Sequence, residues 1–267
     1  FDLARTTIDL MTEQAAAFYD YEKKRLYVLD SNESVLERRT TLVHELAHAL
    51  ADQHHSLKRY LRDNRVSDDE ALARESVVEG QATWLMWAWE SERNTGRAEV
   101  SDAVLESARS ERGPDERAFP VLARVPLYMR EALTFPYTAG LLFHDDLYRR
   151  RGRGSFDEAF VRPPSSTRHI LHPETYVSNV EPVAMRFPMA LTPARRKLLA
   201  EGTLGEMDLQ VLLNQYTPEL VKPLASQWRG GEFRLEEEKG SGNGRPVLTF
   251  GFTMESPEAA RALLAAY

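Results

Sequence analysis

The feature that most constrains the fold is a stretch without glycine or proline over residues 33–61. Apolar side chains recur there at helical spacing, at Leu42, Leu46, Ala49 and Leu50. Because no chain breaker interrupts the segment and this spacing gathers the apolar side chains on one face, we predict a long, largely buried helix.

Patterns elsewhere predict an α+β chain that is predominantly helical. A second helix is expected over residues 70–93, where apolar positions cover a broad face. Another is expected to begin at Pro136, because proline suits the first helical position. A short β-hairpin is predicted over residues 17–29, and further helices over residues 193–201 and 208–216.

The C-terminal end has a different pattern from the rest. Strand-like residues 232–236 and 247–253 flank a glycine-rich turn, and a helix is expected from Pro257. We therefore predict a main domain over residues 1–225 and a small α/β subdomain over residues 226–267 packed on it.

Composition excludes several classes of function. The net charge is -7, and no basic stripe is interleaved with aromatic residues, so a nucleic-acid partner is not expected. No apolar run approaches the roughly 20 residues that a transmembrane helix needs. Without cysteine, a metal would have to be held by histidine and carboxylate. A chain that starts at Phe1, without a signal-peptide pattern, is expected to be a trimmed or mature form; the oligomeric state stays open.

Three residues of the long predicted helix carry the chemistry. His44, Glu45 and His48 form an H-E-x-x-H pattern, and a spacing of four places the two imidazoles one turn apart on one face. Glu45 points beside the metal, where it can take a proton from water and pass it to a leaving amine. The pattern predicts a hydrolytic Zn²⁺ site.

A catalytic zinc needs a third protein ligand and an open fourth position. Glu79 lies on the apolar stripe of the second predicted helix, where an unpaired carboxylate is costly to bury. A metal partner would remove that cost. Glu75, one turn earlier, is the alternative third ligand.

The two motifs, H-E-x-x-H at residues 44–48 and E-G-x-A at residues 79–82, resemble the gluzincin clan of metallopeptidases, with its thermolysin-like and aminopeptidase families. The resemblance covers about residues 40–150. It implies a zincin-like catalytic unit with a pair of active-site helices, and Glu79 as the third zinc ligand.

The resemblance also implies roles for residues around the metal. Residues 135–140 are similar to the segment that carries an oxyanion-stabilising tyrosine, which indicates Tyr137 as the donor. His172, beside a proline in a loop, is the alternative donor. Asp52 corresponds to a carboxylate that could orient a zinc-bound imidazole, or it could be a solvated aspartate.

These expectations make the chain a zinc peptidase acting on peptide or protein substrates. It lacks the segment with which related aminopeptidases recognise a free amine, so an endopeptidase is expected. One alternative is a non-catalytic protein that keeps the fold and binds zinc or peptide. Another is that the motif is a coincidence, with His44 and His48 as satisfied core residues.

Overall fold

The computed structural model describes residues 2–14, 16–29, 34–63, 66–110, 116–185, 187, 196–238 and 245–266. Over these residues the chain is an α+β protein with two small antiparallel sheets, as predicted. The helices are α1 (Leu3–Gln14), α2 (Val35–His55), α3 (Leu57–Leu61), α4 (Asp68–Thr95), α5 (Asp102–Arg109), α6 (Leu127–Arg151), α7 (Gly154–Val161), α8 (Thr167–Leu171), α9 (Pro173–Val177), α10 (Glu206–Tyr216), α11 (Val221–Leu224) and α12 (Pro257–Ala266). The strands are β1 (Ala17–Asp20), β2 (Arg25–Val28), β3 (Arg196–Thr203), β4 (Trp228–Glu238) and β5 (Pro246–Met254). None of the described helices is long and apolar enough to span a membrane.

The chain divides into two compact units. The first comprises Phe1–Asn64 and Ala73–Pro164, and the second comprises Arg65–Leu72 and Ser165–Tyr267. The predicted C-terminal subdomain, residues 226–267, lies within the second unit.

The long helix predicted over residues 33–61 is divided in two. Ser34 begins α2 with a capping box, in which the Ser34 hydroxyl accepts the N–H of Glu37 and the Glu37 carboxylate accepts the N–H of Ser34. Ser56 ends α2 in a left-handed conformation (φ +53°), and α3 follows directly. Residues 33–61 contain no glycine or proline, so the left-handed conformation of Ser56 is what ends the helix.

The buried face of α2 differs from the one predicted. Leu46 and Leu50 are 56% and 52% exposed, so the prediction that they lie in the core is wrong. The buried positions are instead Ala47, His48 and Ala51, together with two carboxylates. Hydrophobicity alone selected the wrong face because the buried face also carries polar side chains.

Helices α4 and α6 cross in close backbone contact. A Cβ atom on Gly80 would lie 2.2 Å from the carbonyl carbon of Gly140, and one on Gly140 would lie 2.3 Å from the Ser76 oxygen. Next to this crossing, Nε2 of His144 donates to the Val77 carbonyl at 2.9 Å. The two glycines therefore set the distance between α4 and α6.

Pro136 does not begin a helix as predicted. Helix α6 begins nine residues earlier, at Leu127 after Pro126, and Pro136 is buried inside it. A proline within a helix removes one backbone hydrogen bond and is unfavourable. The packing of α6 on α4 outweighs that cost, so tertiary contacts override the local preference.

The predicted N-terminal hairpin is confirmed. Strand β1 pairs with β2 in antiparallel register, with Tyr19 opposite Leu26. Phe18 and Tyr27, also opposite one another, stack with ring centroids 4.9 Å apart.

In the second unit, β3, β4 and β5 form an antiparallel sheet in that order. The helix predicted over residues 193–201 is wrong for residues 196–201, which belong to β3 and pair with β4; residues 193–195 lie outside the described part of the chain. Pairing along an existing strand outweighs the helical preference of this short segment. The predictions of α10, the β4–β5 hairpin and α12 are confirmed.

Candidate metal centre

Helices α2 and α4 bring three potential ligands together in the first unit. Nε2 of His44 lies 3.1 Å from Nε2 of His48, one helical turn away. Oε2 of Glu79, from α4, lies 3.1 Å from Nε2 of His44 and 3.3 Å from Nε2 of His48. All three side chains are mostly buried. The structure thus brings together the three residues predicted as metal ligands.

The donor set fits a zinc ion. Two imidazoles and one carboxylate are a common ligand set for catalytic zinc. Tetrahedral bonds of about 2.1 Å require donor atoms about 3.4 Å apart, and the observed triangle has edges of 3.1, 3.1 and 3.3 Å. Among the described residues, the ligand atoms of His44, His48 and Glu79 all lie within 4.8 Å of one another, close enough to share one metal ion.

Electrostatics favour an ionised carboxylate in this cluster. Burial alone would raise the pKa of Glu79, but the charges and hydrogen bonds of His48 and His44 lower it overall. Glu79 therefore supplies a negative charge that the two imidazoles face.

Glu75, the alternative third ligand, lies one turn before Glu79 on α4 and is not part of this cluster. The residue as a whole is exposed, but partial desolvation of its carboxyl group and the nearby charge of Glu79 still raise the pKa of Glu75. The structure thus places a second carboxylate close to the ligands without bringing it among them.

Glu45 lies beside this cluster, on the adjoining side of α2. The residue is 8% exposed, and its Oε2 accepts a hydrogen bond from the backbone N–H of Tyr19 in β1 at 2.7 Å. Burial raises the pKa of Glu45, while His48, His44 and the Tyr19 N–H act in the opposite direction. A buried carboxylate with one oxygen fixed in place is suited to proton transfer.

A cavity of about 420 Å³ opens between α2 and the β1–β2 hairpin, with Glu45 in its wall. Leu26, Leu46 and Ala49 provide apolar lining. The general-base candidate therefore faces a space that can admit water or part of a ligand.

Tyr137 approaches the cluster from α6. Its ring lies 6.0 Å from the His44 ring, centroid to centroid, and the two planes differ by 22°. The residue is 41% exposed, but desolvation on its buried side and the charges of Glu79 and Glu75 raise the pKa of Tyr137. The structure thus places this predicted oxyanion donor next to the cluster.

His172 lies in the second unit, where its Nε2 is 2.8 Å from Oε1 of Glu206. Glu206 is 1% exposed, and its other oxygen accepts from Nη1 of Arg168 at 2.7 Å. This buried ion-pair network gives His172 a partner within its own unit. Its role as an oxyanion donor stays a prediction.

Asp52 has different partners from those that the resemblance implied. Its hydrogen bonds come from Tyr19, Lys24 and Leu57 rather than from an imidazole of the cluster. It is 5% exposed, so it is not a solvated aspartate. Sequence patterns did not indicate Tyr19 and Lys24, since their bonds to Asp52 depend on how the hairpin packs against α2.

Comparison with known proteins gives no match for this chain among protein-family models, curated proteins or solved structures.

Proposed function

We propose that this chain is a zinc-dependent peptidase with a gluzincin-type catalytic unit, and that it acts as an endopeptidase. One observation carries the proposal. A convergent cluster of His44, His48 and Glu79 lies beside a buried glutamate, Glu45, that takes no part in the cluster. A purely structural metal site gains nothing from an additional general base next to an open coordination position.

The ligands His44, His48 and Glu79 would hold the zinc ion. Bound zinc supplies Lewis acidity, which polarises a substrate carbonyl and makes water a better nucleophile near neutral pH. Glu45 then accepts a proton from the attacking water and delivers it to the nitrogen of the departing amine. Only its free oxygen is needed for this, since the other is held by Tyr19.

Tyr137 stabilises the charge that develops on the carbonyl oxygen. Its ring lies 6.0 Å from that of His44, and the negative charge of Glu79 raises the pKa of Tyr137, which keeps its O–H protonated. Redirecting that O–H toward the carbonyl oxygen supplies a hydrogen bond that is strongest when the negative charge is greatest.

The test compares four proteins: the parent, Glu45→Gln, Glu79→Gln and Glu75→Gln. Zinc content is measured by elemental analysis after dialysis against buffer that contains a trace of zinc. Activity is measured as hydrolysis of casein. We expect one zinc in the parent, Glu45→Gln and Glu75→Gln, and a loss of zinc in Glu79→Gln. Activity should fall about 100-fold or more in Glu45→Gln, since general-base catalysis contributes about that much.

The Glu75→Gln variant is the matched control, because it removes a carboxylate one turn from Glu79 on the same helix. Zinc with no hydrolysis by the parent would favour a non-catalytic zinc protein, and a parent without zinc would refute the proposal. A peptide blocked at both ends separates the two modes of cleavage: an endopeptidase cleaves it, whereas an aminopeptidase does not.

A further inference from the structure

A buried carboxylate ties the β1–β2 hairpin to helix α2. Asp52, near the end of α2, accepts a hydrogen bond on Oδ2 from the Tyr19 hydroxyl at 2.9 Å and also contacts the Lys24 ammonium through that oxygen. Its Oδ1 accepts the N–H of Leu57 at 2.9 Å. The side chain of Asp52 is 1% exposed, whereas that of Lys24 is 56% exposed, so the carboxylate is buried and its lysine partner reaches it from the surface.

The same hairpin residue reaches the catalytic end of α2. Tyr19 uses its hydroxyl for Asp52 and its backbone N–H for Oε2 of Glu45, at 2.7 Å. Glu45 and Asp52 are seven residues apart, which is two helical turns, so both carboxylates lie on one side of α2. A single residue of β1 therefore bridges the two carboxylates.

We propose that Asp52, Tyr19 and Lys24 are positioning residues for the general base. Asp52 fixes the hairpin against α2 at the side chains of Tyr19 and Lys24. The Tyr19 N–H is thereby held at one oxygen of Glu45, which leaves the other oxygen directed to the water. The inference rests on the proposed function, because Glu45 must act as the base for its position to matter.

The physical reason lies in the freedom of a glutamate side chain. Glutamate has three rotatable bonds, and a helix fixes only the first of them closely. A general base must lie within hydrogen-bond reach of the proton that it removes. Displacing a reacting group by about 1 Å can reduce the rate about 100-fold, so an anchor on one carboxylate oxygen affects turnover directly.

Asp52 also accepts the N–H of Leu57, so replacing it disturbs the junction between α2 and α3 as well. Tyr19→Phe avoids this difficulty, because it removes only the hydrogen bond that the Tyr19 hydroxyl donates to Asp52. Tyr27→Phe is its matched control: it removes a hydroxyl from the paired strand of the same hairpin, opposite Phe18.

The experiment measures kcat and KM on a peptide substrate, zinc content, and hydrogen exchange of the Tyr19 amide by NMR. For Tyr19→Phe and Asp52→Asn we expect kcat to fall about 10- to 100-fold, with KM changed less than about threefold and zinc retained. The amide of residue 19 should exchange faster in both variants. Tyr27→Phe should match the parent in every measurement, and Lys24→Met should show a smaller loss of kcat.

The double variant Tyr19→Phe/Asp52→Asn should lose no more activity than the stronger single variant, because both changes release the same anchor. A parent-like kcat in Tyr19→Phe, alongside an inactive Glu45→Gln, overturns the inference and leaves the proposed function intact. Unchanged exchange at residue 19 in Asp52→Asn also overturns it, and this readout does not depend on activity. A parent that binds zinc but hydrolyses nothing refutes the proposed function instead.

Discussion

Replacing Gly140 with alanine tests how the crossing of α4 and α6 builds the site. The new Cβ atom would lie 2.3 Å from the Ser76 backbone oxygen and 3.0 Å from Cα of Gly80. An ordinary contact between carbon and oxygen is longer by about 1 Å. Because the obstructing oxygen belongs to the helix backbone, no side-chain rotation relieves the clash, and the helices must separate by about that distance.

Two opposing effects set the change in stability. Alanine is favoured over glycine inside a helix by about 1 kcal/mol, whereas overpacking typically costs about 1–3 kcal/mol. The clash is with backbone, so we take the upper value and expect a net loss of about 2 kcal/mol. Activity should fall further, up to about 100-fold, because Tyr137 lies one turn from Gly140 and Glu79 adjoins Gly80 in the sequence.

The assay combines denaturant unfolding with zinc content and peptide hydrolysis. Gly154→Ala is the control, since a Cβ atom there meets nothing within 4 Å; its free energy of unfolding should change by less than about 0.5 kcal/mol. If Gly140→Ala instead increased the free energy of unfolding by about 1 kcal/mol and left hydrolysis unchanged, the helix preference of alanine would outweigh the clash. The close approach of α4 and α6 would then not be needed to form the site.

Three further predictions concern single groups. Burial raises the pKa of Asp69 from 3.8 to about 7. Between about pH 4 and 7, the carboxyl group is therefore protonated in the folded protein and ionised in the unfolded chain. The unfolding free energy should therefore decrease with rising pH there by up to about 1.4 kcal/mol per pH unit. Asp69→Asn, whose amide oxygen can still accept the Thr167 N–H, should lack this dependence in denaturation curves at pH 5 and 7; equal slopes would refute the assignment. Tyr137→Phe should retain zinc and lose about 100-fold in kcat, and an unchanged kcat would exclude it as oxyanion donor. The buried Thr83 hydroxyl has no hydrogen-bond partner among the described residues, so Thr83→Val should leave stability equal or raise it by up to about 1 kcal/mol in thermal unfolding; a marked loss would indicate a partner for the hydroxyl.

The sequence was sufficient to predict that His44, His48 and Glu79 lie together, for a specific physical reason. A spacing of four on a helix fixes two imidazoles on one face whatever surrounds them, and His44 and His48 show this at 3.1 Å. Glu79 followed from the cost of burying an unpaired carboxylate on an apolar stripe. Both arguments depend on local geometry and on burial, and both can be inferred from the spacing of residue types along the chain.

The predictions that failed required knowledge of distant contacts. Pro136 lies inside α6 because packing against α4 outweighs a lost hydrogen bond. Residues 196–201 form a strand because β4 offers a partner for their backbone. The exposure of Leu46 and Leu50 shows that the buried side of α2 is decided by its polar contacts as much as by its apolar residues.

The H-E-x-x-H motif specifies two ligands and a glutamate, but it does not fix the position of that glutamate. In this chain the fixing group is a main-chain N–H from strand β1, held by Asp52, and neither feature belongs to the motif. A chain with the same motif and no such hairpin could bind zinc equally well while its glutamate sampled several rotamers. The difference between a metal-binding protein and a hydrolase of this kind would then lie in the contact between β1 and α2. Loss of kcat with full retention of zinc in Tyr19→Phe is the result that would distinguish them.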